Sequence, residues 1–175
     1  MQIELLPTFF YHVQNTLMKI LLQKNLTLTA VIGLAYWFFG NLYEEIVISP
    51  NWITDSPAQM KRLNEFFINT SPTVYFVPLT QIATILVWIL FATNKTNEVR
   101  REYRIASIFA VLSTAINIVI VSTIVLTLFG ADYAAKADML NAYCWRWNIL
   151  NIVRMTLVAT TTFYMFNAYR KLDKL

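Results

Sequence analysis

The sequence predicts an all-α membrane protein, a four-transmembrane-helix antiparallel bundle with an N-terminal amphipathic surface helix. Three observations predict it. Hydrophobic residues make up 57% of the 175-residue chain and charged residues 14%, far from an ordinary soluble composition. Four apolar runs, at about 26–48, 73–93, 104–129 and 145–168, approach or exceed the roughly 20 residues that cross a bilayer. The links between successive runs are short, which favours antiparallel neighbours. By length the chain is one domain, read here as an interfacial helix over 1–24 and a transmembrane domain over 25–175.

Over residues 1–24, Leu5, Leu6, Phe9, Phe10, Val13, Leu17, Ile20 and Leu21 recur at helical spacing, with Gln2, Glu4, Gln14, Asn15 and Lys19 off that stripe. The pattern predicts a helix lying on the membrane surface, with Pro7 in its first turn. No basic n-region precedes the apolar positions, so this is not read as a signal peptide. His12 stands at the edge of the stripe, and an interfacial side chain without a ligand is the favoured reading.

The first span carries Gly33 and Gly40 on one flank, where a neighbouring helix can approach closely. Asn41, Glu44, Glu45 and Ile48 fall at i, i+3, i+4 and i+7 and share one face. Each ionisable group at membrane depth costs about 2.5–3.5 kcal/mol, so such groups have a partner or a task. The span ends at the Pro-bearing turn Ser49-Pro50-Asn51-Trp52. Ser56-Pro57-Ala58-Gln59 reads as a capping box opening a short amphipathic helix through Met60, Leu63, Phe66 and Phe67. That helix is read as a surface helix or a lid over the bundle mouth.

Asn69-Thr70-Ser71-Pro72 starts the second span, which Pro78 is expected to bend. Gln81 is its one strongly polar interior residue, flanked by Thr80 and Thr84. Asn117 lies near the middle of the third span, and Gly130 ends it. Residues 131–144 read as a polar, partly helical connection. The fourth span places Asn148, Asn151 and Arg154 at i, i+3 and i+6, and a basic tail follows.

Nine basic residues, Lys19, Lys24, Lys95, Arg100, Arg101, Arg104, Arg170, Lys171 and Lys174, would share one side of the membrane. Four, Lys61, Arg62, Lys136 and Arg146, would occupy the other, with Arg154 inside a span. The imbalance predicts both termini in the cytoplasm. It also accounts for the net charge of +4 without a nucleic-acid partner. One cysteine, Cys144, excludes an internal disulfide and a multi-thiolate metal site. With three glycines in the chain, a phosphate-cradling glycine loop is not expected.

At 1.5 Å per residue, Asn41 and Arg154 both lie about 10 Å below the same membrane face. Gln81 is slightly deeper, and Asn117 is near the midplane. A buried arginine needs compensation, so Arg154 is expected to pair with Glu44 or Glu45. Trp37, Tyr43, Tyr75, Phe76, Trp145 and Trp147 surround this polar group. Aromatic walls with a few convergent polar groups are the make-up of a small-molecule pocket. The alternative is a polar network that fixes helix register and binds nothing.

Asn41-Leu42-Tyr43-Glu44 near the end of the first span, with Trp147-Asn148-Ile149-Leu150-Asn151-Ile152-Val153-Arg154 opening the fourth, resembles the anthrone-oxygenase-like family of small four-helix membrane proteins. Phe66-Phe67-Ile68-Asn69-Thr70-Ser71-Pro72 is similar to that family as well, so the resemblance covers most of 26–168. It implies oxygenation of an apolar aromatic or quinone-like molecule, with no established cofactor. Asn41, Tyr43, Glu44, Trp147 and Arg154 are the positions it points to. Many members have a His where this chain has Asn151.

Two functional readings follow. In the first, Glu44 or Glu45 is a general base and Arg154, with Asn148 or Asn151, steadies an oxyanion. Asn41, Tyr43, Trp37, Gln81, Asn117, Trp147, Asn148 and Asn151 would contact the substrate, with neither metal nor cofactor. In the second, the protein is a non-catalytic lipid or quinone binder, or a structural partner subunit. Under both readings the lipid bilayer is a partner, and self-association is left open.

Overall fold

The rods least apolar in sequence are the first and the last, and they carry the polar residues of interest. Their most apolar windows have a mean hydropathy of 1.3 each, against 2.0 and 2.4 for the two rods between them. A computed structural model describes the backbone of residues 5–130 and 132–175, and the side chains of Gln14 and of those stretches from Leu17 onward. Four helices, Leu17–Ile53, Pro72–Thr93, Asn97–Leu128 and Tyr133–Leu172, are long and apolar enough to cross a membrane. The protein is thus all-α, with the features of an integral membrane protein.

Helix α1, Leu5–Tyr43, is 39 residues long. No break separates the leader from the first span. His12 and the early part of the leader's apolar stripe lie outside the described side chains. The rod continues past Tyr43 through a π-helical turn, Glu44–Ile48, into α2, Ser49–Ile53. The sequence suggested that Pro50 ends the span. Instead the wide turn just before it takes up the disturbance: the Ser49 N–H bonds to the Glu44 carbonyl, five residues back, and the helix runs on past the ring. A proline with no N–H and a bulky ring is tolerated where the regular i→i−4 ladder has already been interrupted.

A sharp corner at Thr54 and Asp55 leads into α3, Ser56–Phe66. Asp55 takes the left-handed region (φ 52°), which Asp tolerates better than most residues. The expected capping box does not form. Ser56 is already the first helical residue, and its hydroxyl donates back to the Ile53 carbonyl at 3.2 Å. The corner is fixed from α7 by Asn141, whose Nδ2 donates to Ile53 O at 2.8 Å and Ser56 Oγ at 3.2 Å.

Helix α4, Pro72–Thr93, begins where Ser71 Oγ accepts the Val74 N–H, and it contains Pro78. Helix α5, Asn97–Val119, passes through a second π-helical turn, Ile120–Val125, into α6, Leu126–Leu128. A 3-10 turn, Tyr133–Lys136, opens the last rod, α7, Ala137–Leu172. The fourth span is therefore longer than the sequence suggested, because the polar connection before it is itself helical.

The rods form a closed ring in which α1 packs on α4 and α7, while α5 packs on α4 and α7. Glycine sets the α1–α4 approach. A Cβ at Gly33 would stand 2.9 Å from the Ala83 Cβ, and one at Gly40 would stand 2.5 Å from the Phe76 ring. Two apolar cores result. One lies toward the chain termini and includes Leu34, Trp37, Val87, Tyr103, Val158 and Met165. The other lies toward α3 and includes Trp52, Met60, Ile120, Leu128, Leu140 and Trp147. Asn41, Asn117, Asn151 and Arg154, all buried, lie at the level between them.

At the terminal end the loops are tied together by polar contacts. Gln23 donates to Asn94 Oδ1 at 2.8 Å and accepts from Thr96 Oγ1 at 3.2 Å, while Thr27 and Tyr103 share a hydrogen bond of 2.6 Å. Lys171 pairs with Glu102 at 2.8 Å, and Lys24 with Asp173. The two ends of the transmembrane domain thus meet at one end of the bundle, as an even number of antiparallel rods requires.

Candidate intramembrane site

Arg154 projects from the middle of α7 into the centre of the ring and is 5% exposed. Three asparagines, one from each of α1, α5 and α7, hold it. Nη1 donates to Asn117 Oδ1 at 2.6 Å, and Nη2 donates to Asn151 Oδ1 at 2.6 Å and to Asn41 Oδ1. The orientation of Asn41 is set from its own helix, because its Nδ2 donates to the Trp37 carbonyl at 2.8 Å. That bond leaves the amide oxygen facing the guanidinium. Arg154 Nε is buried without a hydrogen-bond partner.

The expected ion pair is not made. Among the described residues, no carboxylate oxygen lies within 4.0 Å of the Arg154 guanidinium. The reason is reach and register. Asn41 stands level with Arg154 on the facing helix, whereas the two glutamates lie about a turn further along and open the wide turn. Glu45 turns toward α7 and accepts from Asn151 Nδ2 at 2.7 Å. Asn151 therefore sits between carboxylate and cation, donating to one and accepting from the other. Asn151 Nδ2 also lies 3.3 Å from the Asn41 carbonyl.

Glu44 faces the other way, into a cavity of about 320 Å³ that reaches from the Arg154 layer to α3. Its polar lining includes Asn41, Glu44, Asn117, Arg154, Thr80 and Asn64. Its aromatic wall is Trp37, Trp52, Phe67, Phe76, Phe129 and Trp147. Trp52 and Trp147 meet edge to face with centroids 4.7 Å apart, a favoured aromatic geometry. Helix α3 overhangs this end. Asn64 Nδ2 donates to the Leu128 carbonyl at 3.0 Å, tying α3 to α6 beside the mouth. Both wide turns contribute to the wall, with Glu44 and Ile48 from one and Ile120, Val121 and Val125 from the other. Such turns recur at functional sites.

Of the residues singled out in the sequence, Trp37, Asn41, Glu44, Asn117, Trp147 and Arg154 line the cavity together. Glu45, Asn148 and Asn151 do not. Asn148 accepts from Ser49 Oγ, and Glu45 is held by Asn151, so all three brace the α1–α7 seam behind the wall. Tyr43 is 58% exposed on the outside of the bundle. Gln81 is half-buried and off the cavity, and its neighbour Thr80 takes the place expected for it. Tyr75 and Trp145 are exposed, so of the aromatic set expected around the site Trp37, Phe76 and Trp147 line the cavity. Trp52, Asn64 and Phe129 also line the cavity, and the sequence did not single them out as site residues. The i+4 series Asn41, Glu45, Ser49 is the signal that could have found Ser49.

Comparison with protein-family models, curated proteins and solved structures gave no significant match.

Proposed function

We propose that the cavity receives an apolar aromatic or quinone-like molecule from the lipid and that the protein oxygenates it without a metal. The observation that carries this reading is that Glu44 and Arg154 face one aromatic-walled space. A volume of about 320 Å³ is at the small end of ligand pockets. In this scheme the Glu44 carboxylate takes a proton from an acidic C–H of the substrate. The charge left behind delocalises onto a ring oxygen held near the guanidinium. The electron-rich ring then reduces dioxygen. A CH₂ group becomes C=O with one atom of O₂, and the two hydrogens leave with the other as water. Asn41 and Asn117 position Arg154, while Glu45 acts through Asn151. The anthrone-oxygenase-like resemblance supports the same chemistry, and the arginine and lysine distribution supports cytoplasmic termini.

The test is oxygen uptake by the purified protein with an anthrone, whose ring CH₂ is the group the scheme oxidises. The reading expects turnover that Glu44→Gln and Arg154→Met each abolish, and full turnover by both variants would overturn it. One observation favours a second, non-catalytic reading, in which the site only binds a quinone or lipid. Three of the guanidinium's five N–H groups are already taken by asparagines. Under that reading quinone quenches the fluorescence of Trp37, Trp52 and Trp147 with no oxygen uptake.

A further inference from the structure

On the outside of the bundle, a groove of about 420 Å³ runs between α5 and α7 at the α3 end. It is independent of the central cavity. Asn117, Ile120 and Val121 face the cavity, whereas Val119, Thr123 and Ile124 line the groove on the other side of the same wide turn. From α7 come Tyr143, Arg146, Ile149 and Leu150. Its surfaces are apolar, and the one hydroxyl on the α5 side, that of Thr123, is already spent on the Val119 carbonyl at 2.7 Å. Val119 is 47% and Ile149 60% exposed, so in a bilayer this groove faces acyl chains.

Arg146 makes the groove more than an apolar face. It is exposed, and among the described residues no carboxylate lies within 4.0 Å of it. Its guanidinium stands over the Tyr143 ring, 5.6 Å from the centroid, which steadies it at the head of the groove. Arg146 is eight residues before Arg154, about 12 Å along the helix, which brings it near the membrane boundary when Arg154 is buried within. Cation and tyrosine at headgroup level, with an apolar channel leading inward from them, match the two parts of a phospholipid.

We propose that this groove is a binding site for an anionic phospholipid, its phosphate on Arg146 and one acyl chain along Ile149, Leu150 and Val119. The test is native mass spectrometry of the detergent-solubilised full chain titrated with phosphatidylglycerol, phosphatidylcholine or inorganic phosphate. The wild type should retain phosphatidylglycerol over phosphatidylcholine by about fivefold, the worth of one charge contact near a membrane surface. Arg146→Gln should lose that preference, and Arg146→Lys should keep most of it. Ile149→Trp, which fills the groove, should weaken both lipids. An undiminished preference in Arg146→Gln would overturn the proposal, as would free phosphate competing as well as the lipid. Oxygen uptake should be the same in Arg146→Gln as in the wild type.

Discussion

Neutral amide oxygens rather than carboxylates hold the buried guanidinium of Arg154. Amide dipoles solvate a cation but do not cancel its charge, so its field still extends into the space beside it. A ligand oxygen bearing negative charge would be attracted there, whereas a glutamate in direct contact would have quenched the site. Removing the cation should be costly for a second reason. Arg154→Met strips the partner from Asn41, Asn117 and Asn151, and each buried acceptor left unpaired costs roughly 1–3 kcal/mol. A marked fall in melting temperature in detergent is expected. Asn117→Leu, which deletes one of the three contacts, should lose less. At this scale the sequence was half legible. Helical spacing and depth placed Asn41 and Arg154 at one level, with Asn117 deeper toward the midplane and Glu44 about a turn nearer the surface. They did not identify the partner, because an asparagine and a glutamate one turn apart differ in reach by less than a span-depth argument resolves.

Among the elements, the α1–α4 seam and the α2–α3 corner carry the sharpest expectations. Gly40 lets the Phe76 ring lie where a Cβ would sit, so Gly40→Ala should cost about 1–3 kcal/mol by overpacking. Trimming the ring in Gly40→Ala/Phe76→Leu should recover part of that loss, read by thermal melting of both variants. At the corner, Asn141→Ala removes the donor to Ile53 O and Ser56 Oγ. A loss of about 1 kcal/mol is expected, together with faster amide exchange over 53–66 while the four spans stay protected. The spans themselves were readable because twenty-residue apolar runs have few alternatives. The wide turns were not. Pro50 hinted at a break in the first rod, but nothing in Ile120–Val125 marks the second, since a π-turn depends on how a helix meets its neighbours rather than on local propensity.

For the whole molecule, closing four rods into a ring brings Lys24 and Asp173 together at the terminal end. The Lys24 ammonium holds the Asp173 carboxyl below the usual carboxylate range. A depressed carboxylate contributes stability above its unfolded value, and that contribution is lost as pH falls through the lowered one. The pair is solvent-exposed, so its contribution is small and sensitive to salt. Wild type should therefore lose slightly more stability than Lys24→Gln between pH 6 and about pH 3, in melting curves at low salt. Antiparallel closure was foreseeable from the short links. The cluster of Gln23, Asn94, Thr96 and Tyr103 was not, because each is unremarkable alone and only the ring brings them together.

A π-turn contains one residue more than the α-helix would need to cover the same rise. Deleting an exposed residue such as Val47 should let that stretch relax to regular winding, closing the widened turn while the helix beyond it keeps nearly the same heading. Glu44 and Ile48, which the widened turn brings to the cavity wall, would be the residues displaced, while α3 would keep its seat. Proteins descended from the same ancestor could thus gain or lose this chamber through single-codon insertions inside a hydrophobic stretch. Alignments that forbid gaps within such stretches would pair the wrong residues beyond that point.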